Sequence, residues 1–251
     1  MSGHSKWANI KHRKAAQDAR RGKLFTRLAR EITVAARDGG GDPEYNFTLR
    51  LAIDRAKAAN MPSDNIERAV KRGTGELAGG QLEDIIYEAY GPNGIALLIH
   101  VVTDNRNRAV ADIRKVFNRQ GGSLGESGSV MWQFDRKGRI VVETDGSDPE
   151  KLALLAIDAG ADDFEIDEGL ISVYTVPSDL EAVKGQLESE GIPVTDAELT
   201  LVPKTTLELD QEQALKTLRL MEALEDLDDV QQVISNLDIS DEVIARFEEA
   251  A

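Results

Sequence analysis

From Leu24 to Ala36 the apolar residues Leu24, Phe25, Leu28, Ala29, Ile32, Ala35 and Ala36 recur at helical spacing, which predicts an amphipathic helix with one buried face. Lys23, Arg27, Arg30 and Arg37 fall on the opposite side, so a cationic stripe is expected to face solvent. Gly39, Gly40 and Gly41 stop this helix. A second helix turns Leu49, Ala52, Ile53 and Ala56 inward; a third opens at Pro62-Ser63-Asp64 and closes at Gly73. The glycine-rich stretch from Gly73 to Gly80 reads as a linker.

Beyond the linker the period changes to that of strands. Ile85 to Tyr90, a Gly91-Pro92-Asn93-Gly94 turn and the apolar run Ile95 to Val102 predict a hairpin. A helix from Arg106 to Gln120, a Gly121 to Gly128 loop and a strand at Ser129 to Phe134 follow. From Gly138 the pattern is strand (Arg139–Glu143), helix (Pro149–Ala159), strand (Asp163–Asp167), a Glu168-Gly169 turn, strand (Leu170–Val176), helix (Ser178–Glu190) and strand (Glu198–Val202). This βαββαβ order is ferredoxin-like. A helix at Gln211 to Ala223, a strand at Val230 to Ser235 and a short terminal helix complete the chain.

The elements on either side of the βαββαβ unit are each too small for a core, and together they complete one. The expected fold class is therefore α+β and multidomain: a three-helix domain over 1–75, a discontinuous α/β domain from 82–135 and 203–251, and an acidic ferredoxin-like domain over 137–202 inserted into it.

Charge is distributed as unevenly as hydrophobicity is regular. The first 37 residues carry ten Lys/Arg against Asp18 and Glu31, residues 38–75 and 76–140 are each neutral, and residues 141–251 hold six basic and 29 acidic groups, within a net charge of −15. A basic arm in an acidic chain is a docking surface for phosphate. The absence of cysteine excludes disulfides, zinc fingers and thiol catalysis. No apolar run approaches the ~20 residues of a membrane span, and a cytoplasmic protein without membrane contact is expected.

The string Gly3-His4-Ser5-Lys6-Trp7-Ala8-Asn9-Ile10-Lys11-His12-Arg13-Lys14 combines cations with an aromatic ring, the mixture that grips phosphate and stacks on bases. Trp7 has two readings of equal weight, a stacking ring or an anchor holding the arm to the fold. The nucleic-acid candidates are Lys6, Trp7, Lys11, His12, Arg13, Lys14, Arg20, Lys23, Arg27, Arg30 and Arg37. A weaker surface is formed by Arg106, Arg108, Lys115 and Arg119, the last three sharing a helical face, with Asp104 or Asn105 as N-cap. His100, inside an apolar strand, reads as a hydrogen-bonded core residue.

No catalytic constellation emerges. The glycine clusters lack the Gly-Lys-Ser/Thr of a P-loop and do not sit between a strand and a following helix. Pairs such as Asp162-Asp163 and Asp228-Asp229 are expected among 29 acids, and no Lys or His base accompanies them at a recognisable spacing. No enzyme activity, metal, cofactor or small-molecule substrate is expected. A metal-dependent hydrolase and a protein-interaction module using the acidic half stand as rivals.

The N-terminal string, Gly39-Gly40-Gly41-Asp42-Pro43, Thr103-Asp104-Asn105-Arg106-Asn107-Arg108 and Glu225-Asp226-Leu227-Asp228-Asp229-Val230-Gln231 closely resemble the YebC/PmpR family, in order and over nearly the whole chain. One departure is Phe47, where members commonly have Pro. The resemblance implies a cytoplasmic protein with a helical domain and two α/β domains around a cleft, without enzymatic activity. It implies a role in gene expression: bacterial members are described as DNA-binding transcriptional regulators. Other members act at the ribosome, where proline-rich stretches stall synthesis, and a mitochondrial relative activates translation of a cytochrome oxidase subunit. Both roles would place contacts on Lys6, Trp7, Lys11, His12, Arg13 and Lys14. The expected partner is thus DNA or ribosomal RNA, with the ribosome or basic proteins meeting the acidic half.

Overall fold

The computed structural model describes residues 6–7, 21–78, 80–167 and 169–249. The chain divides into two compact units, one from residues 24–78 and 136–201, the other from 1–23, 79–135 and 202–251. Helices are mixed with two four-stranded antiparallel sheets and a short parallel pair, as the α+β pattern allows.

In the first unit, α1 (Arg21–Gly39), α2 (Phe47–Ala58) and α3 (Ser63–Gly73) bury Leu28, Ile32, Leu49, Ala52, Ile66 and Ala69 among one another. Asn46 holds two of these helices together. Its side-chain oxygen accepts the Leu49 N–H at 3.0 Å to cap α2, while its amide donates at 2.8 Å to the carbonyls of Ala35 and Gly40. The glycines expected only to break helices also permit close packing: a Cβ on Gly73 would lie 2.4 Å from the Thr33 carbonyl and 2.7 Å from the Ala36 methyl.

The same unit contains β4 (Phe134–Glu143), α5 (Pro149–Asp158), β5 (Asp163–Asp167), β6 (Leu170–Thr175), α6 (Leu180–Ser189) and β7 (Val194–Pro203). The sheet order β5-β6-β4-β7 is the ferredoxin-like one, with β6 antiparallel to both neighbours. Ala156, Leu180, Val183 and Leu187 of its helices pack with Ile140, Val142, Ile171 and Val173 of its strands. Leu51 of α2 belongs to this core and Phe47 packs against it, so Phe47 supplies apolar contact area at the start of α2.

A polar network crosses the same contact. Arg55 of α2 donates to Glu31 of α1 at 2.8 Å and lies 3.0 Å from Asp196 and 3.5 Å from Glu198 on β7; Arg139 of β4, almost fully buried, lies 3.5 Å from Glu198. Burial by itself would lower the Arg55 pKa, but Asp196, Glu31 and Glu198 drive it well above its ordinary value. Burial pushes the Glu198 carboxyl up despite Arg55.

The second unit is built on β1 (Glu83–Tyr90), β2 (Ala96–Thr103), α4 (Arg106–Gln120) and β3 (Ser123–Leu124), then, after the chain returns, β8 (Leu207–Glu208), α7 (Gln211–Glu225), β9 (Val230–Ser235), β10 (Leu237–Asp238) and α8 (Asp241–Glu249). The sheet order is β3-β1-β2-β9. β1 and β2 form the expected hairpin, with Tyr90 opposite Ala96 and Asn93 and Gly94 at positive φ in the turn. Side chains at alternate positions of β1 and β2, including Ala89, Leu97, Ile99 and Val101, face the core with Ile113 and Phe117 of α4 and Leu218 and Met221 of α7.

The strand expected at Ser129 to Phe134 is absent. Met131–Gln133 form a 3-10 turn and β4 begins at Phe134. The cause is Glu88, whose buried carboxylate accepts the N–H groups of Gly128 at 2.5 Å, Val130 at 2.6 Å and Met131 at 2.7 Å, donors a strand would have given to a ladder.

Because the methyl of Ala at position 73 would meet backbone, which has little freedom to yield, Gly73→Ala is expected to cost about 1–3 kcal/mol despite alanine's better helix propensity. Urea unfolding of the two proteins measures it.

Candidate nucleic-acid interface

The described part of the basic arm is pinned to the fold. Trp7 is 2% exposed and sits in the core of the second unit, its ring edge-on to Phe247 of α8 at a centroid distance of 5.6 Å. Its indole N–H points to Glu225 at 3.5 Å, while Glu225 also accepts the Val233 N–H at 2.9 Å. Lys6, equally buried, pairs with Asp241 at the start of α8. The anchor reading of Trp7 is the one realised. Neither residue presents the face that base stacking or phosphate contact requires, which corrects their place among the nucleic-acid candidates. Lys11, His12, Arg13, Lys14 and Arg20 lie outside the described residues.

The α1 stripe is less open than its spacing predicts. Arg27 and Arg30 are half-buried, Arg37 pairs with Asp38 at 2.7 Å, and the Lys23 ammonium donates to the Asp226 carbonyl at 3.1 Å and lies 3.5 Å from its carboxylate. Val34, on the same side of the helix, is buried. Helical spacing alone separates one face from another without saying what packs on each.

On α4 the candidates separate. Asn105 caps the helix by accepting the Arg108 N–H at 3.0 Å. Arg108 is engaged, gripping buried Asp229 through Nε at 3.1 Å and Nη2 at 2.9 Å and reaching Asp104 at 2.8 Å; hydrogen bonds to Asp229 and Asp104 raise its pKa further. Its guanidinium is thus engaged with two carboxylates while its side chain remains exposed, so part of its charge is already neutralised within the fold. Arg106 stacks over Tyr87 at 5.9 Å.

Lys115 and Arg119 are exposed and make no ion pair with any described residue, and the same holds for Arg114, which periodicity arguments had not singled out. Asn107, Ala111, Arg114 and Asn118 follow one another at i, i+4, i+7 and i+11, all exposed, with Lys115 and Arg119 flanking them. The helix carries five cations and a single acid, Asp112. Its other side supplies Ala109, Ile113 and Phe117 to the core, so the cationic face is held rigidly.

The Glu88-bound loop presents a second feature. Trp132 is 68% exposed, and its indole N–H donates to the Ser129 carbonyl at 3.1 Å; the Tyr90 hydroxyl donates to the same oxygen at 3.1 Å. His100 is half-buried and 2.6 Å from Asp84, hydrogen-bonded as expected though not within the core.

The acidic pairs are occupied structurally. Asp162 meets Lys137 at 2.6 Å, and Asp229 holds Arg108. Among the described residues no group of three or more His, Asp or Glu side chains is placed to hold a metal ion, and no helix is long and apolar enough to cross a membrane.

Two family models cover most of the sequence: the TACO1/YebC protein N-terminal domain matches residues 5–76, and the TACO1/YebC second and third domain matches residues 82–237. The chain belongs to the TACO1/YebC family. Among curated relatives, a probable transcriptional regulatory protein of Halothermothrix orenii is 54% identical over 252 residues, covering 99% of this chain and all of its own. One of Pelotomaculum thermopropionicum is 55% identical over 243 residues, covering 96% of this chain and all of its own. A crystal structure of a conserved hypothetical protein from Aquifex aeolicus matches with a TM-score of 0.85 at 50% identity, over 90% of this chain and 94% of that one. The TACO1/YebC assignment agrees with the resemblance read from the N-terminal string and the Thr103–Arg108 segment, the second of which forms the α4 cap described above.

Two measurements test the local chemistry of this family member. Trp7→Ala should lower stability by about 3–5 kcal/mol, the cost of emptying a core aromatic site, in denaturant unfolding. Burial tends to raise the Glu88 pKa, yet the three N–H donors bring it below its ordinary value, so its stabilisation is complete above the normal carboxylate range and is lost as pH falls through the depressed value. Glu88→Gln should cost about 2 kcal/mol near neutral pH, with the deficit shrinking below about pH 4.

Proposed function

We propose that this chain is a non-enzymatic, cytoplasmic regulator of gene expression that acts by holding nucleic acid through its phosphates. The observation that carries this reading is the exposed face of α4, where Arg114, Lys115 and Arg119 stand without acidic partners among the described residues, in a chain of net charge −15. The relatives' names as probable transcriptional regulatory proteins favour DNA as the target and transcription as the process. Lys11, Arg13 and Lys14 of the basic arm are assigned to phosphate contact from the sequence. The acid-rich stretch after residue 140 repels loosely held phosphate, more strongly at low salt than at physiological salt, where screening acts within ~8 Å. It also offers a face to basic proteins.

A second reading, action on ribosomal RNA, is favoured by Trp132 and Tyr90, since exposed rings serve unpaired bases better than base pairs stacked in a duplex. Binding isotherms at several salt concentrations test the shared core of both. The double variant Arg114→Glu, Lys115→Glu should weaken nucleic-acid binding at least tenfold and reduce the salt slope by about two. Reversal of Lys11, Arg13 and Lys14 should abolish binding. Unchanged isotherms in both variants would remove the phosphate contact from these surfaces.

A further inference from the structure

Trp132 is exposed but not loose. Its indole N–H and the Tyr90 hydroxyl each lie 3.1 Å from the Ser129 carbonyl oxygen, so the two rings flank one acceptor. The Trp132 carbonyl accepts from the Lys204 ammonium at 2.9 Å, and the Gln133 carbonyl accepts the Lys204 N–H at 2.8 Å. Beneath them the Glu88 carboxylate fixes the backbone at Gly128, Val130 and Met131. Gly125 fits against Ser129 and Tyr90 because it lacks a side chain: a Cβ there would lie 2.4 Å from the Ser129 hydroxyl and 3.4 Å from the Tyr90 ring. Tryptophan is mostly buried in folded proteins, and here a large ring is kept in water by an ordered scaffold. Ordering it beforehand removes an entropy cost from whatever it meets.

We propose that Trp132 and Tyr90 form a stacking platform for an unpaired base of a folded RNA. The size of the patch argues for a base over a protein surface. Apart from the two rings, the adjoining exposed apolar side chain on this strand face is Ile86, at 41%, whereas a protein interface commonly buries ~1,600 Å² in total. One ring face is sufficient for a base. The charge of the same unit argues for nucleic acid, because α4 bears the exposed Arg114, Lys115 and Arg119, which pair with no described acid, and leads directly into β3, whose Ser123 is paired with Tyr90. Cations for the backbone beside rings for the bases are what a single strand needs. RNA follows because its loops splay bases outward, while duplex DNA keeps them stacked. This rests on the nucleic-acid reading above and names the ligand chemistry of its second form.

The protein supplies its own reporter, since Trp7 is buried and Trp132 is exposed. An RNA hairpin with a mixed-sequence single-stranded loop is titrated into the full chain, and tryptophan fluorescence and affinity are read together. Quenching is expected in the wild type and not in Trp132→Phe; Trp132→Ala should bind about tenfold more weakly with an unchanged salt slope. Melting temperatures matching the wild type show that the variants fold. Equal binding of the hairpin by wild type and Trp132→Ala would overturn the platform and leave the phosphate contact standing. Equal quenching by a fully paired duplex would overturn the unpaired base, and equal quenching by single-stranded DNA would overturn the choice of RNA. Failure of the wild type to bind any of the three would overturn the nucleic-acid reading together with this one.

Discussion

One buried carboxylate governs the geometry of the second unit. Glu88 lies in the middle of β1, where an unpaired charge would be destabilising, and it is retained because three backbone N–H groups converge on it. Those donors come from a stretch rich in β-formers, so satisfying the charge prevents a strand and creates a loop. The loop in turn carries Ser129, whose carbonyl fixes the rings of Tyr90 and Trp132, and leads through a short 3-10 turn to β4. A local electrostatic requirement thereby sets both where one sheet's chain departs and how an aromatic pair is displayed.

Charge elsewhere follows the same rule: acids near cations decide which cations remain for a partner. Asp229 and Asp104 claim Arg108, Asp38 meets Arg37, and Asp241 holds Lys6. In the first unit, Arg55 is shared among Glu31, Asp196 and Glu198, and it joins α1 and α2 to β7. The network is only partly buried, so its charges remain partly solvated while they link the three elements. By contrast, Arg114, Lys115 and Arg119 project from a helix whose one acid, Asp112, forms no ion pair with them. Phosphate binding is better served by those three than by cations already neutralised.

Much of the fold was legible because local signals agreed. The β5 strand and the β9 strand occupy the residues their apolar patterns indicate, and Asn105 caps α4 where the helix start signal falls. The site was legible only in part. Trp7 beside Lys6 left stacking and anchoring equally open, and Phe247 and Glu225, more than two hundred residues away in sequence, draw that ring into a core. Arg27 and Arg30 have the spacing of a solvent stripe and are half-buried all the same. Trp132 carried no periodic signal, because its placement depends on contacts made by Glu88 of β1 and by Lys204, just after β7, both distant in sequence.

The sequence by itself determined the helical and strand periods, the ferredoxin-like order, the segregation of charge and the family, since each depends on residues close together or on distinctive strings. Which cations stay free, whether Trp7 or Trp132 meets solvent, and where a strand yields to a loop were decided by the tertiary structure. The physical reason is that burial and ion pairing are properties of neighbours in space, and the neighbours of Lys6, Glu88 and Arg108 lie far from them along the chain.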